Sequence, residues 1–176
     1  ARQTTPKRVI SGLNTHTQYA SDVYIDQPTG DIYVINNDTV HNTTVYGRNA
    51  NGDSPPDREF IVMQGNFGTT VDESRQEMYI TEQRESAITV WKKSSNMKDT
   101  ALRLIQGDQT RLADPHGIAF DPKTRLLFFA NYGTSHVVRK NPAVPVRILN
   151  WPGSPGGNEI VPGSGKFEPP SITVYS

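Results

Sequence analysis

Apolar residues along this chain gather in short clumps, never in the long stripes of an amphipathic helix. The clumps read "DVYID" from Asp22, "DIYVI" from Asp31, "TTVYG" from Thr43, "FIVMQ" from Phe60, "EMYIT" from Glu77, "AITVW" from Ala87, "GIAFD" from Gly117, "LLFFA" from Leu126 and "SITVY" from Ser171. β-Branched and aromatic side chains dominate them, and fourteen glycines and thirteen prolines punctuate the chain. Short apolar runs bounded by turn residues predict strands. No window sustains a 3.6-residue apolar period, so the expected class is all-β.

The strands recur. Three segments align without gaps, "DQPTGDIYVI" from Asp26, "DESRQEMYIT" from Asp72 and "DPKTRLLFFA" from Asp121, with the aspartates 46 and 49 residues apart. Each aspartate follows one apolar strand and opens a turn into a second, and its side chain can accept a hydrogen bond from the backbone two residues on. Gly30 suits a left-handed position in the first turn, which Gln76 and Arg125 occupy at some cost in the others. A third strand follows at residues 43–46, 88–91 and 172–175, and a fourth at residues 7–12, 58–62 and 102–107. The linkers from Tyr46 to Arg58 and from Trp91 to Arg103 both cover 12 residues. Arg8, Arg58 and Arg103 on these outer strands are expected to pair with acidic groups on a neighbouring strand. Four short strands per unit of about 45 residues is the signature of a β-propeller blade.

The stretch "DPHGIAFDPKTRLLFFANYGT", with "RLIQG" before it and "SITVYS" after it, resembles NHL-repeat β-propellers, including secreted bacterial ones. The third copy carries the pattern best. The second replaces "GIAFD" by "GTTVD" and is four residues shorter before its turn, and the first has Asp22 where Gly117 stands in the third. The resemblance implies a propeller, and it implies a secreted, periplasmic or cell-surface location. It carries no ligand set onto this chain, because the repeat serves proteins of many activities.

The strand order predicts an N-terminal outer strand at residues 7–12 and blades at about residues 13–62, 63–107 and 108–176, the last without an outer strand. Propellers have about four to eight blades, so three are expected to be half of a six-bladed ring. Its open edge would pair with a second polypeptide, either a copy of the chain or the remainder of a longer precursor, since a bare edge invites aggregation. The chain opens at Ala1 rather than Met, which fits a processed product. From Asp121 to Tyr175 is 54 residues, against 20 and 19 in the other copies. The third blade therefore holds an insertion at residues 135–170. Its prolines and glycines disfavour regular structure, although "VPVRILNW" is a candidate strand. Arg147, Trp151 and Phe167 in it are residue types that anchor protein interfaces. Together with His116 and Tyr132 they form the candidate binding set. The plainer alternative is a loop packed on its own blade.

Composition narrows the chemistry. Eighteen basic and eighteen acidic residues give zero net charge, which argues against general affinity for nucleic acid or anionic membranes. There is no cysteine, hence no disulfide, thiolate metal site or cysteine nucleophile. No apolar run approaches the roughly 20 residues of a membrane span, and no signal-peptide pattern is present. His16, His41, His116 and His136 show no i, i+4 metal spacing. His116 precedes the inner strand of the third blade, and its equivalents in the other copies are Ser21 and Phe67. The repeated aspartates read as turn chemistry rather than a carboxylate pair. Glycosylation sequons occur at Asn37 and Asn42. The expected function is a non-enzymatic binding or scaffold propeller for protein–protein interaction, without cofactor, in a secreted or cell-surface assembly. The first alternative is a metal-assisted lyase or lactonase-like propeller, with zinc or calcium near His116. The second is a carbohydrate-binding propeller.

Overall fold

The computed structural model describes residues 4–37, 39–133 and 170–176, and the backbone of 136–139 and 158–161. The chain is all-β, and among the described residues it has two single-turn 3-10 helices at Leu13–Thr15 and Asp108–Thr110. The first antiparallel sheet holds β1 (Ala20–Ile25), β2 (Ile32–Asn36), β3 (Asn42–Tyr46) and β4 (Arg58–Ile61) in sequence order. The second holds β5 (Asn66–Asp72), β6 (Glu77–Glu82), β7 (Ala87–Lys92) and β8 (Arg103–Ile105), again in sequence order. The third holds β9 (Pro115–Asp121) and β10 (Leu126–Asn131), and then β13 (Ser171–Tyr175) beyond β10. Between β10 and β13 the chain makes a separate two-stranded ribbon of β11 (His136–Arg139) and β12 (Asn158–Val161). The insertion thus contains a strand pair despite its glycines and prolines. Arg147, Trp151, Phe167 and the "VPVRILNW" segment lie outside the described residues.

The turns follow the sequence reading. Gly30, Gln76 and Arg125 all have positive φ, at 79°, 54° and 62°. Asp72 Oδ1 accepts from Ser74 N at 3.0 Å, and Asp121 Oδ1 accepts from Lys123 N at 3.0 Å. In the first turn the corresponding residue is Pro28, which has no N–H to give. Asp26 accepts instead from the Thr29 hydroxyl at 2.7 Å and from Lys93 Nζ at 2.8 Å.

Within the chain, residues 7–12 form no strand of a sheet. That segment makes one parallel bridge, Ile10 to Gly52, in the linker of its own first sheet. Gly52 satisfies it on both sides, accepting from Ser11 N at 2.9 Å and donating to Val9 O at 2.7 Å. The arginines do not pair with acidic groups on the adjacent strand, and only Arg103 finds a carboxylate, one strand further in on β6. Arg103 makes a two-pronged pair with Glu77 at 2.7 and 2.6 Å. Arg58 donates to the Tyr33 hydroxyl at 2.6 Å and to Ser95 O at 2.8 Å, and Arg8 donates to the Arg48 carbonyl.

The three sheets pack in series. One core cluster joins Tyr33, Ile35, Val45 and Phe60 of the first sheet to Val71, Met78, Ile80 and Trp91 of the second. The other joins Tyr79, Ile88 and Val90 of the second to Ile118, Phe120, Leu127 and Phe129 of the third. Each β-strand sends alternate residues to opposite faces, so the second sheet is buried on both. The first strands, β1, β5 and β9, lie side by side.

Polar contacts repeat along with the apolar ones. At the end of the second strand of each sheet stand Asn36, Glu82 and Asn131, all buried. Asn36 Nδ2 donates to Thr44 Oγ1 at 3.2 Å, and Asn131 Nδ2 donates to Thr173 Oγ1 at 3.0 Å. Their carbonyls accept from the backbone, from Gln18 N and Ala113 N, both at 3.1 Å. In the second sheet a carboxyl replaces the amide. Glu82 Oε1 accepts from Thr89 Oγ1 at 2.6 Å and Met63 gives a backbone hydrogen bond, while Oε2 has no protein partner. Burial, opposed only weakly by these bonds, pushes the carboxyl up to about 8.

Ionic clamps join successive sheets. Lys93 of the second sheet is buried against Asp26 of the first and also holds Glu73 at 2.7 Å. Arg125 of the third sheet reaches Asp72 of the second at 2.5 Å. Burial alone would raise Asp26 and Asp72. The hydrogen bonds of Lys93 and Thr29 to the first, and of Ser74 and Arg125 to the second, outweigh it and hold both below the ordinary carboxylate range.

Candidate binding surface around His116

The surface around His116 is built by irregularities that recur in the first strand of each sheet. Between Pro115 and Gly117 the register of β9 on β10 shifts, leaving His116 outside the ladder. The same shift leaves Ser21 unpaired in β1, and Phe67 with Gly68 unpaired in β5. A β-bulge bends its strand and re-aims the side chain it carries. Here the bulges bring Phe67 and His116 face to face across two sheets, with ring centroids 4.0 Å apart and planes inclined by 4°. Tyr132 continues the stack on the other side of His116, at 5.5 Å and 18°.

Close backbone approach permits the stack. Gly68 N donates to Thr81 Oγ1 at 2.7 Å, and Thr81 Oγ1 donates to His116 O at 2.8 Å. A Cβ on Gly68 would fall well inside contact distance of that same carbonyl oxygen, so glycine is needed for space rather than for its φ. Tyr132 is pinned by its backbone N–H, which donates to Asp114 O at 2.9 Å, while 64% of the residue stays exposed.

Asp114 is the polar member of the site. Its Oδ1 lies 2.9 Å from His116 Nε2, and its backbone is held at φ 54°. Burial raises its pKa, and the neighbouring His116 and Gln83 only partly oppose the rise. The arrangement offers flat aromatic faces, a free phenol edge and a hydrogen-bonded imidazole. These suit stacking and apolar contact with a partner. Among the described residues no group of three or more histidine, aspartate or glutamate side chains gathers as a metal site.

Of the candidate set, His116 and Tyr132 come together, whereas Arg147, Trp151 and Phe167 lie outside the described residues. Phe67 and Asp114 are members that the sequence reading did not include. Phe67 had a signal, since it occupies the His116 position of the repeat, five residues before the turn aspartate. Comparison of the chain with protein-family models found no match, and comparison with curated proteins found none either.

Proposed function

We propose that the chain is a three-blade segment of an NHL-type β-propeller, half of a six-bladed ring, and that it works by binding other polypeptides in a secreted or cell-surface assembly. One observation carries this reading: the sheets pack in series by one rule, and the two outermost described sheets leave apolar side chains exposed on their outer faces. On the third sheet Phe128, Ile172 and Val174 are exposed, and on the first Val23, Ile25 and Ile61 are exposed. The side-by-side placement of β1, β5 and β9 agrees with inner strands around a common axis. The Phe67–His116–Tyr132 stack then stands beside the inner strands as a second place for contact.

The test is the mass and make-up of the purified particle, by light scattering and mass spectrometry. The reading expects a stable particle larger than the 19.5 kDa chain. A 19.5 kDa monomer that holds no second polypeptide counts against it. The exposed Tyr132 at the end of the stack favours carbohydrate binding as a second reading. A saturable change in protein fluorescence with glycans, lost in Tyr132→Ala, would support that reading.

A further inference from the structure

We infer that the polypeptide covering the open face of the third sheet is a second copy of this chain, docked by the outer face of its first sheet and locked by Arg48 of one copy against Asp121 of the other. The inference rests on the propeller reading above and names the partner that reading leaves open.

The repeat supplies the argument. Tyr33 and Val45 face forward from the first sheet into the second. Their equivalents Tyr79 and Val90 face forward from the second into the third. The next equivalents, Phe128 and Val174, face forward from the third sheet with no described residue packed on them, and Ile172 beside them is 73% exposed. In the other direction, Val71 of the second sheet and Phe120 of the third each receive the preceding sheet. Their equivalent in the first sheet is Ile25, which is exposed beside Val23. Among the described residues, the third sheet thus exposes a forward face and the first sheet exposes the β1 part of a receiving face, surfaces of the kinds the series already joins twice. Their contact is heterologous, and two copies related by a two-fold axis would make it twice and close the ring.

Charge complementarity selects the same partner. Asp26 receives its cation from the following sheet, through Lys93, and Asp72 receives its own through Arg125. Asp121 is the third member of this series. Only Lys123 and Thr124 hydrogen bonds hold it below the ordinary carboxylate range, and no cation among the described residues contacts it. These two cations come from different places, Lys93 from two residues past the aromatic that ends the third strand and Arg125 from the turn before the second strand. The first-sheet counterpart of Arg125 is Gly30, so a following first sheet would supply the cation from the position of Lys93. In the first sheet that aromatic is Tyr46, and the residue two beyond it is Arg48, which is exposed. A second copy thus brings a guanidinium to the place from which Lys93 reaches Asp26.

Charge reversal tests the seam. Asp121→Arg and Arg48→Asp should each lower the dimer fraction at least tenfold, because each homodimer would then hold two like-charge contacts. An equimolar mixture of the two variants should restore the dimer, since both of its seams become opposite-charge pairs. The double variant D121R/R48D should restore it too. Mass spectrometry of the wild-type particle identifies the partner. A self-dimer indifferent to both reversals, or rescue failing in a mixture of folded variants, would overturn this seam and leave the binding reading standing. So would a particle whose second polypeptide is not this chain. A folded wild-type monomer at every concentration would overturn both.

Discussion

Replacing Glu82 by glutamine is expected to stabilise the protein at neutral pH and to remove part of its pH dependence. Glu82 occupies a position that the other two sheets fill with Asn36 and Asn131, and it is fully buried there. Its carboxyl is pushed up to about 8 from an ordinary 4.5. Between those values the native state keeps a proton that the unfolded chain has released, so stability falls as pH rises, by about 1.4 kcal/mol per unit. The accumulated loss is about 3 kcal/mol near pH 7, and it levels off at about 5 kcal/mol above pH 8. Glutamine carries no such loss and keeps an oxygen for the Thr89 hydroxyl.

The assay is urea unfolding of wild type and E82Q from about pH 5 to 9, at one protein concentration because association shifts the apparent stability. Carboxylates held low by partners, such as Asp26, Asp72 and Glu77, stabilise the protein above their ordinary range and lose that effect as pH falls. They are common to both proteins and cancel in the difference. The advantage of E82Q should grow from under about 1 kcal/mol near pH 5 to about 3 kcal/mol near pH 7. Parallel stability curves would refute the reasoning, since they would mean that Glu82 ionises alike in the folded and unfolded states.

Two further changes probe the contacts between sheets. Gly68→Ala places a methyl against the His116 carbonyl and should cost about 1–3 kcal/mol in unfolding experiments; an effect within a few tenths of wild type would contradict the close approach of β5 and β9. Lys93→Met leaves the buried Asp26 carboxylate without its ammonium and should cost about 3–5 kcal/mol, with much of it regained in K93M/D26N; equal instability of the single and double variants would contradict the clamp.

The sequence carried the sheets well because their signals are local. Short β-branched runs, an aspartate opening each turn and equal spacings placed the first three strands of every unit within a residue or two. Even the left-handed backbone at Gln76 and Arg125 was legible, because Gly30 marks the same place in an aligned turn. Residues 7–12 look like their counterparts 58–62 and 102–107 but have no third strand of their own to pair with in this chain. The backbone found Gly52 instead, a contact that no strand pattern encodes. The stack around His116 was half legible for a related reason. Sequence alignment makes Phe67 the counterpart of His116, but only the bulges turn the two rings toward each other across neighbouring sheets. The end of the series was legible only as a third unit without an outer strand. The apolar face and the unclamped Asp121 that mark it depend on knowing which side of each strand is covered.

Ile172 tests the central claim most directly, because it sits in the middle of the account as an apolar side chain that a second copy should cover. The chain has no cysteine, so Ile172→Cys provides a single thiol, and Leu13→Cys, at a residue 96% exposed, provides an open reference. With a small thiol reagent at constant pH, the account predicts that Cys at position 172 reacts many times more slowly than Cys at position 13 in concentrated protein. The gap should close on dilution or when Asp121→Arg is added. Equal rates for the two thiols at every concentration would contradict it.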